Sequence, residues 1–354
     1  MIGAAQPRSW IRAPLPASLR LPPGGGIGAR IAVAILLSLI SSALLVSLSG
    51  HNPLSAFTAM AVGAAGSPHQ IGVVLNRATP YLLAGSGVAV CFRAGVINIG
   101  AEGQIALGGV GAAVVSLHWP EWASALTVPA ALASAAALGA LWAAAATAIH
   151  LGRRVHEVLV TLLLNFVAVL LVQQALAGPL GQFGAGFLQS PAMPAGASLW
   201  RLSGLDAHVG FLIALAAAAC LSLVLWRTPF GFSIRVAGYS RRAAAYAGFS
   251  MPLITWGVML LAGALAGLAG GVEVLGVHHR LIEGFSSGFG FKAVTVALLG
   301  AIEPLAIAPA ALFVGLLEAG SLSMQRQIGV PSALVVVIEG LTMLFVLAAT
   351  VRRT

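Results

Sequence analysis

Residues 31–48 read IAVAILLSLISSALLVSL, an apolar run that contains no charged side chain. A helix that crosses the hydrocarbon core of a bilayer needs roughly 20 mostly apolar residues, whereas the apolar part of a signal peptide has roughly 7–15. The run therefore predicts a first transmembrane helix. Residues 1–30 precede it and are rich in Pro, Gly and Arg, which predicts a basic cytoplasmic tail.

Comparable runs recur along the whole chain. Only 8% of the residues are charged and 59% are hydrophobic, while a soluble domain carries roughly 25% charged residues. We predict an all-α polytopic membrane protein whose transmembrane domain covers residues 31–354. Two of its ten spans depart from the pattern, because the third is glycine-rich and the eighth is short. The ten spans lie at about 31–50, 71–92, 95–117, 123–149, 157–177, 207–226, 253–276, 288–302, 305–322 and 332–351.

The basic residues indicate the orientation of these spans. No run of basic residues forms a patch with interleaved aromatics, so nucleic acid is not a predicted partner. Membrane lipid is a predicted partner because the spans are apolar. With the N-terminus inside, most of the 18 basic residues lie on the cytoplasmic side, as the positive-inside rule requires, and the C-terminus is cytoplasmic too. The cytoplasmic set is Arg8, Arg12, Arg20, Arg30, Arg93, Arg153, Arg154, Arg227, Arg235, Arg241, Arg242, Arg352 and Arg353.

The second to fifth spans and the seventh to tenth spans cross the membrane in opposite orders. Each set contains a glycine-interrupted segment, within the third and the eighth span. Inverted repeats of this kind are common in transporters, and the substrate path lies at the interface between the repeats. We therefore predict an inverted repeat of these two sets. On the seventh span, Gly263, Gly267 and Gly271, with Gly270 beside them, predict close helix packing.

The longest cytoplasmic stretch, about 228–251, reads TPFGFSIRVAGYSRRAAAYAGFSM and is too polar to span. Residues from about 240 to 247 predict a short Ala/Arg-rich helix that Gly248 ends, and Ser250 is placed to cap the next span. A basic helix lying across the cytoplasmic face suits docking into a cleft of another protein. The alternative is an ordinary positive-inside loop.

A second stretch, residues 93–111, reads RAGVINIGAEGQIALGGVG and places Glu102 beside a glycine-broken backbone. An ionisable side chain inside a membrane costs about 2.5–3.5 kcal/mol on insertion scales, which indicates a function for it. Asn98 and Glu102 share one face if this part is helical, while the glycines allow the backbone to unwind towards a polar cavity. Glu102 either lines the substrate path, or pairs with Arg93 or caps the N-terminus of a half-helix.

Further polar residues lie within the predicted spans. They are Asn165, Glu273, Glu318 and Glu339. The glutamates either form ion pairs with basic residues near the outer face or line the external mouth of the path. The available basic residues are Arg280, Lys292 and Arg326.

No catalytic or metal-binding constellation is visible in the sequence. The only lysine lies in GFGFKAV, residues 288–294, without the Ser or Thr of a phosphate-binding loop. Cys91 and Cys220 lie in apolar spans without the spacing of metal ligands. We therefore predict a chain that is not an enzyme and binds no cofactor of its own, so that any use of ATP must come from a partner.

Residues 77–109, RATPYLLAGSGVAVCFRAGVINIGAEGQIALGG, resemble the signature region of permease subunits of ABC importers in the branched-chain amino acid, ribose and nucleoside superfamily. Within that region, GVINIGAEGQ at 95–104 is most similar to the nucleoside or purine importers that work with a basic membrane lipoprotein receptor. Residues 234–249, IRVAGYSRRAAAYAGF, resemble the cytoplasmic coupling segment of that family. Residues 288–304, GFGFKAVTVALLGAIEP, resemble its late re-entrant region.

The resemblance implies an importer in a bacterial cytoplasmic (inner) membrane. Its partners would be two ATP-binding-cassette ATPase subunits that hold ATP and Mg, a second and shorter permease chain, and a periplasmic or lipid-anchored solute-binding protein. Lys292 and Glu303 depart from the family pattern, which leaves the substrate identity open. The residues assigned to ATPase coupling are Arg235, Gly238, Arg241, Arg242, Ala243, Ala244 and Gly248. The residues assigned to the substrate path are Asn98, Glu102, Gln104 and Asn165.

The predicted function is import of a small polar solute by alternating access, driven by the separate ATPase subunits. A nucleoside or purine is the first candidate for the solute and a simple sugar is the second. The alternative is a proton-coupled secondary transporter that uses Glu102, Glu273, Glu318 and Glu339 as relay groups. That alternative explains the intramembrane acids but not the basic docking segment.

Overall fold

The computed structural model describes residues 27–119, 121–286 and 288–350. Most of the predicted basic tail and the C-terminal arginines therefore lie outside the described residues. The described chain is helical, with two isolated β-bridges in its loops. The helices are α1 Ile27–Leu48, α2 Pro53–Ala65, α3 Pro68–Arg93, α4 Ala101–His118, α5 Thr127–Arg153, α6 Glu157–Ala177, α7 Gly210–Arg227, α8 Pro229–Tyr239, α9 Arg241–Tyr246, α10 Met251–Glu273, α11 Phe289–Leu299, α12 Pro304–Ile328 and α13 Ser332–Thr350.

Six helices among the described residues are long and apolar enough to cross a membrane, and α1 with α2, bent by 118°, would make a seventh. The prediction of an all-α polytopic membrane protein is confirmed. The count of ten spans stays a prediction, because neither α3 nor α4 is among these six. Helix α11 has 11 residues and rises about 16 Å, roughly half of the hydrocarbon core. The six spans are Ser124–Arg153, Glu157–Ala177, Gly210–Arg227, Met251–His278, Pro304–Ile328 and Ser332–Ala349.

Helix α10 packs against α3, α4 and α5. Its glycines permit this close approach. A Cβ atom on Gly267 would lie 2.2 Å from the backbone oxygen of Ala135 in α5, and one on Gly270 would lie 2.0 Å from the backbone oxygen of Ile105 in α4. The close helix packing predicted from the glycine stripe is confirmed.

The helix contacts have the exchange pattern that an inverted repeat of α3–α6 and α10–α13 requires. Helix α3 packs against α11 and α12, as α10 packs against α4 and α5. Helix α6 packs against α4 and α5, as α13 packs against α11 and α12. These paired contacts support the predicted repeat, while the two-fold axis itself stays a prediction.

The loops gather at two opposite ends of the bundle. At the C-terminal end of α3, Arg93 Nη2 donates to the backbone oxygen of Ile302 over 2.9 Å. At its N-terminal end, His69 Nδ1 lies 2.7 Å from Asp206 Oδ2. Helix α3 has 26 residues and is about 39 Å long, so these two ends are separated by more than the hydrocarbon core. Loops predicted as cytoplasmic thus meet one another, and so do loops predicted as external.

The long loop 178–209 folds back on the chain that follows α10. The backbone nitrogen of Ser190 donates to the oxygen of Leu281 over 2.8 Å, and that of Met193 donates to the oxygen of His279 over 3.0 Å. Backbone hydrogen bonds of this kind order a loop that has no regular secondary structure apart from one 3-10 turn.

Candidate functional site

The chain between α3 and α4 is not helical. It turns at Gly95, whose φ is +70°, and runs without helical structure until α4 begins at Ala101. The unwinding predicted from the glycines is confirmed. Asn98 lies in the unwound part, so the condition under which Asn98 and Glu102 would share one helix face is not met. The glycines break the helix before its first regular turn.

The Asn98 side chain organises this unwound segment. It is fully buried, and its Oδ1 accepts a hydrogen bond from the backbone nitrogen of Gly100 over 2.8 Å. Its Nδ2 lies 3.3 Å from Oε1 of Gln104, which is also buried. The side-chain amides of Asn98 and Gln104 thus hydrogen-bond to each other, and Asn98 also accepts from one main-chain N–H. Buried polar groups are tolerated when their hydrogen bonds are satisfied in this way.

Helix α6 fastens the same segment from the other side. Oδ1 of Asn165 accepts from the backbone nitrogen of Gly103 over 2.9 Å, and its Nδ2 donates to the backbone oxygen of Ile99 over 2.8 Å. The hydroxyl of Thr161 accepts from the backbone nitrogen of Ile99 over 3.3 Å. The structure therefore brings Asn165 to the Asn98 segment. Thr161, which sequence reasoning missed, lies one helical turn before Asn165 on α6.

Glu102 is buried and caps a helix that begins far along the chain. Its Oε1 accepts from the hydroxyl of Ser286 over 2.6 Å and from the backbone nitrogen of Gly288 over 3.1 Å, and its Oε2 accepts from the backbone nitrogen of Gly290 over 2.7 Å. The carboxylate thus lies at the N-terminus of α11 and in the first turn of α4. Both helix dipoles stabilise a negative charge there. Of the predicted roles, capping of a half-helix is the one the geometry supports.

A second charged group forms between α3, α11, α12 and α13. Lys292 Nζ contacts Glu318 Oε1 and lies 3.1 Å from Glu339 Oε2. The hydroxyl of Tyr81 donates to Glu318 Oε1. The predicted ion pairing of these two glutamates is confirmed, with Lys292 as the partner. Glu273 instead lies 3.4 Å from Nε2 of His278, which was not predicted.

At the opposite end from the His69–Asp206 pair, four segments meet around one tryptophan. Arg93 Nη2 contacts Glu303 Oε2, and the indole nitrogen of Trp226 donates to Glu303 Oε1 over 2.7 Å. The guanidinium of Arg235 lies 4.7 Å from the centre of the Trp226 ring and donates to the backbone oxygen of Leu225. Arg93 therefore forms its ion pair with Glu303 and not with Glu102.

Helices α8 and α9 form the segment predicted to couple to an ATPase. Gly238 lies against the chain after α3, where a Cβ atom would come within 1.9 Å of the backbone oxygen of Arg93. Arg241 Nη2 donates to the backbone oxygen of Gly95 over 2.7 Å. Ala244 is fully buried. These contacts tie the segment directly to the unwound chain that contains Asn98.

The other side of this segment is open to solvent. Tyr239 is 96% exposed and Tyr246 is 90% exposed, and Arg242 and Ala243 are exposed between them. Gly248 has a φ of +83° and ends the segment in the left-handed conformation that glycine tolerates best. Exposed aromatic and arginine side chains are typical of protein interfaces. Sequence reasoning missed the tyrosines, although Tyr246 in the predicted Ala/Arg-rich helix was a usable signal.

The fold defines a polytopic α-helical membrane protein with two glycine-broken segments, before α4 and before α11. The chain belongs to the branched-chain amino acid transport system / permease component family, whose sequence profile matches residues 70–347. It is 34% identical over 325 residues to a guanosine ABC transporter permease protein of Bacillus subtilis, covering 89% of this chain and 91% of that protein. It is 35% identical over 309 residues to a glucose ABC transporter permease protein of Haloferax volcanii, with coverage of 84% and 81%. A nucleoside ABC transporter permease protein of Lactococcus lactis is 27% identical over 327 residues, with 89% of each chain covered.

The chain is therefore a permease subunit of an ABC transporter, as its sequence motifs indicated. Subunits of this class have no ATPase site of their own and associate with ATPase and other permease subunits. Membership of an ABC permease family favours ATPase partners over the proton-coupled alternative. Among the described residues, no group of three or more His, Cys, Asp or Glu side chains could hold a metal ion.

Proposed function

We propose that this chain is the longer permease of a bacterial inner-membrane importer for nucleosides or purines, with simple sugars as the second candidate. A second, shorter permease completes the path, and two ATPase subunits hold ATP and Mg. A periplasmic or lipid-anchored protein delivers the solute. In this proposal both chain termini are cytoplasmic. Similarity to permeases named for guanosine, nucleosides and glucose supports this order of substrates.

One observation carries the coupling part of the proposal. The exposed face of α8 and α9 is continuous, through Gly238 and Arg241, with the unwound chain at Gly95. Movement of a protein bound to Tyr239 and Tyr246 would therefore be passed to the Asn98 segment through direct contacts, with few intervening residues. Arg235 and Ala244 support this face from behind, since one lies against Trp226 and the other is buried.

Alternating access follows from this connection. ATP binding brings the two ATPase subunits together and shifts α8 and α9 of each permease. The shift reaches α4 through Gly95 and reaches α11 through Glu102, which holds the N-termini of both helices. The polar residues Asn98, Gln104 and Asn165 then fix the shape of the path-lining backbone, because they bond to that backbone or to one another. Affinity resides mainly in the solute-binding protein.

The opposite end of the bundle supports docking of the solute-binding protein. Phe183 is 99% exposed and Trp200 is 84% exposed, and both lie in the ordered loop 178–209. Aromatic side chains that remain this exposed are costly in water and are enriched at interfaces. The loop is fastened by backbone hydrogen bonds, so that it presents these rings on a fixed surface.

The test is a double charge reversal on the exposed helix. Arg241→Glu with Arg242→Glu is expected to abolish co-purification of the ATPase subunits and ATP-dependent guanosine uptake, while insertion into the membrane is unchanged. Arg153→Glu with Arg154→Glu is the matched control, because it makes the same charge change at exposed arginines elsewhere in the predicted cytoplasmic set. Normal ATPase retention by the α9 variant would contradict the proposal. Competition of guanosine uptake by glucose, and not by adenosine, would reverse the order of substrates.

A further inference from the structure

The cluster of Lys292, Glu318 and Glu339 lies near the middle of the membrane. Glu318 is about 21 Å along α12 from its start and about 15 Å from its end. Glu339 is about 11 Å from the start of α13 and about 17 Å from its end. Tyr81, which donates to Glu318, is similarly central in α3. The cluster is therefore far from both ends of the two helices that carry its carboxylates.

The charges of the cluster do not cancel. One ammonium group faces two carboxylates, so the ionised cluster carries one net negative charge. Ionisable side chains inside a membrane are rare, and almost always face the bundle interior or a water-filled cavity.

Lys292 is also placed unfavourably for a purely structural role. It is the fourth residue of α11, where the helix dipole disfavours a positive charge. Its side chain remains 29% exposed, in contrast to the enclosed carboxylate of Glu102. A charged amine exposed at this depth would be costly against lipid tails, whereas water in a solute path removes that cost.

We propose that the Lys292–Glu318–Glu339 cluster lines the solute path and admits neutral, hydroxyl-bearing solutes while it excludes anions. The carboxylates accept hydrogen bonds from hydroxyl and ring N–H groups of a passing solute, and Lys292 donates to its oxygens. The net negative charge repels phosphate or carboxylate groups, and a low surrounding dielectric strengthens that repulsion. Nucleosides and simple sugars would pass and nucleotides would not. This inference rests on the proposed import function.

The test measures the reaction of engineered cysteines with charged, water-soluble thiol reagents in membranes that contain the assembled transporter. Cys220 is first replaced by Ala, while Cys91 stays because it is buried. Lys292→Cys is expected to react with a cationic methanethiosulfonate at least fivefold faster than with an anionic one. The ratio is normalised to Arg153→Cys, which is exposed in a predicted cytoplasmic loop outside the proposed docking segment. Leu344→Cys, on a different exposed face of α13, is expected to stay unreactive.

A second variant keeps the test decisive if Lys292→Cys does not fold. Glu339→Cys leaves one base and one acid, so its normalised preference for the cation is expected to fall to about one. Failure of both cysteines to react with any water-soluble reagent would overturn the proposal, because it would place the cluster against lipid or the second permease. Equal reaction of Lys292→Cys with both charges would overturn the charge selection. Absence of ATP-dependent uptake would contradict only the import function, since the labelling needs no transport.

Discussion

His208 is a buried histidine outside the candidate functional site. It lies just before α7 and is 1% exposed, and neither ring nitrogen has a hydrogen-bond partner in the described part of the chain. Gly210 and Gly276 leave room for the ring, since a Cβ atom on either glycine would lie within 2.6 Å of it. Burial, with a smaller contribution from the charge of Arg201, lowers the pKa of His208 to about 4.

This lowered pKa predicts a defined loss of stability in acid. Because the folded pKa lies below the unfolded value of about 6.5, the unfolded chain takes up the proton first. The contribution of neutral His208 is complete above pH 6.5 and is lost as the pH falls towards 4. A shift of this size corresponds to about 3 kcal/mol. Thermal unfolding of purified protein at pH 7, 5 and 4 should show this loss, and His208→Leu should reduce it.

The matched control is His118→Leu, because His118 is exposed at the end of α4. It should keep the acid sensitivity of the unaltered protein. If His208→Leu showed the same pH profile as the control, another group would have to account for the sensitivity. Carboxylates titrate in both variants alike, so only the difference between the two profiles is informative.

At the residue scale, the sequence identified the costly carboxylates, and it named Lys292 among the possible partners of two of them. The cost of burying a carboxylate follows from residue type alone, which is why Glu102, Glu318 and Glu339 could be selected. The partner of Glu102 is the chain near Gly288, 186 residues away, and no spacing rule connects positions so distant. Side-chain contacts could not be predicted either, since Arg241 and Arg242 look alike in sequence, yet Arg241 bonds to the chain at Gly95.

At the element scale, the packing of α10 depends on its glycines, which have no side chain to separate it from neighbouring helices. Gly270→Ala is expected to destabilise the protein by about 1–3 kcal/mol, because its Cβ atom would lie 2.0 Å from the oxygen of Ile105 and α4 must move away. The control is Gly340→Ala on α13, where no atom lies within 4 Å of the added Cβ. That substitution is expected to stabilise by up to about 1 kcal/mol through better helix propensity. Melting temperatures in one detergent measure both, and equal values would contradict the packing argument.

Helix prediction succeeded where apolar length alone decides. Helix α6 spans the predicted range, Glu157–Ala177, and α13 differs from its prediction by about a residue. Helix α2 was missed because it has only 13 residues and starts at a proline that Asn52 caps. Helices α4 and α11 are shorter than predicted. Hydropathy identifies the glycine-rich segments that contain them, but it does not identify the residue at which the backbone stops being helical. Contacts of Asn165 and of Glu102 with distant parts of the chain stabilise the backbone at that point, and such tertiary contacts cannot be read from hydropathy.

At the scale of the whole molecule, the separation of the loops follows from α7. This helix joins loop 178–209 to α8 and has 18 residues, a length of about 27 Å that is close to the thickness of the hydrocarbon core. The loop and α8 must therefore lie on opposite sides if α7 spans. The positive-inside rule assigns the side of α8 to the cytoplasm, because the four arginines at 227, 235, 241 and 242 lie there.

Two exposed aromatics allow this topology to be tested with a matched pair of cysteines. In a Cys220→Ala background expressed without its partner subunits, Phe183→Cys is expected to react with a membrane-impermeant maleimide in intact spheroplasts. Tyr246→Cys is expected to react only after the membrane is opened. Both positions are at least 90% exposed in the protein, so a difference in labelling reports the side of the membrane and not burial. The reverse pattern would invert the whole topology. Labelling of both residues in intact spheroplasts would mean that α7 does not span, and the cytoplasmic docking of α8 and α9 would fall with it.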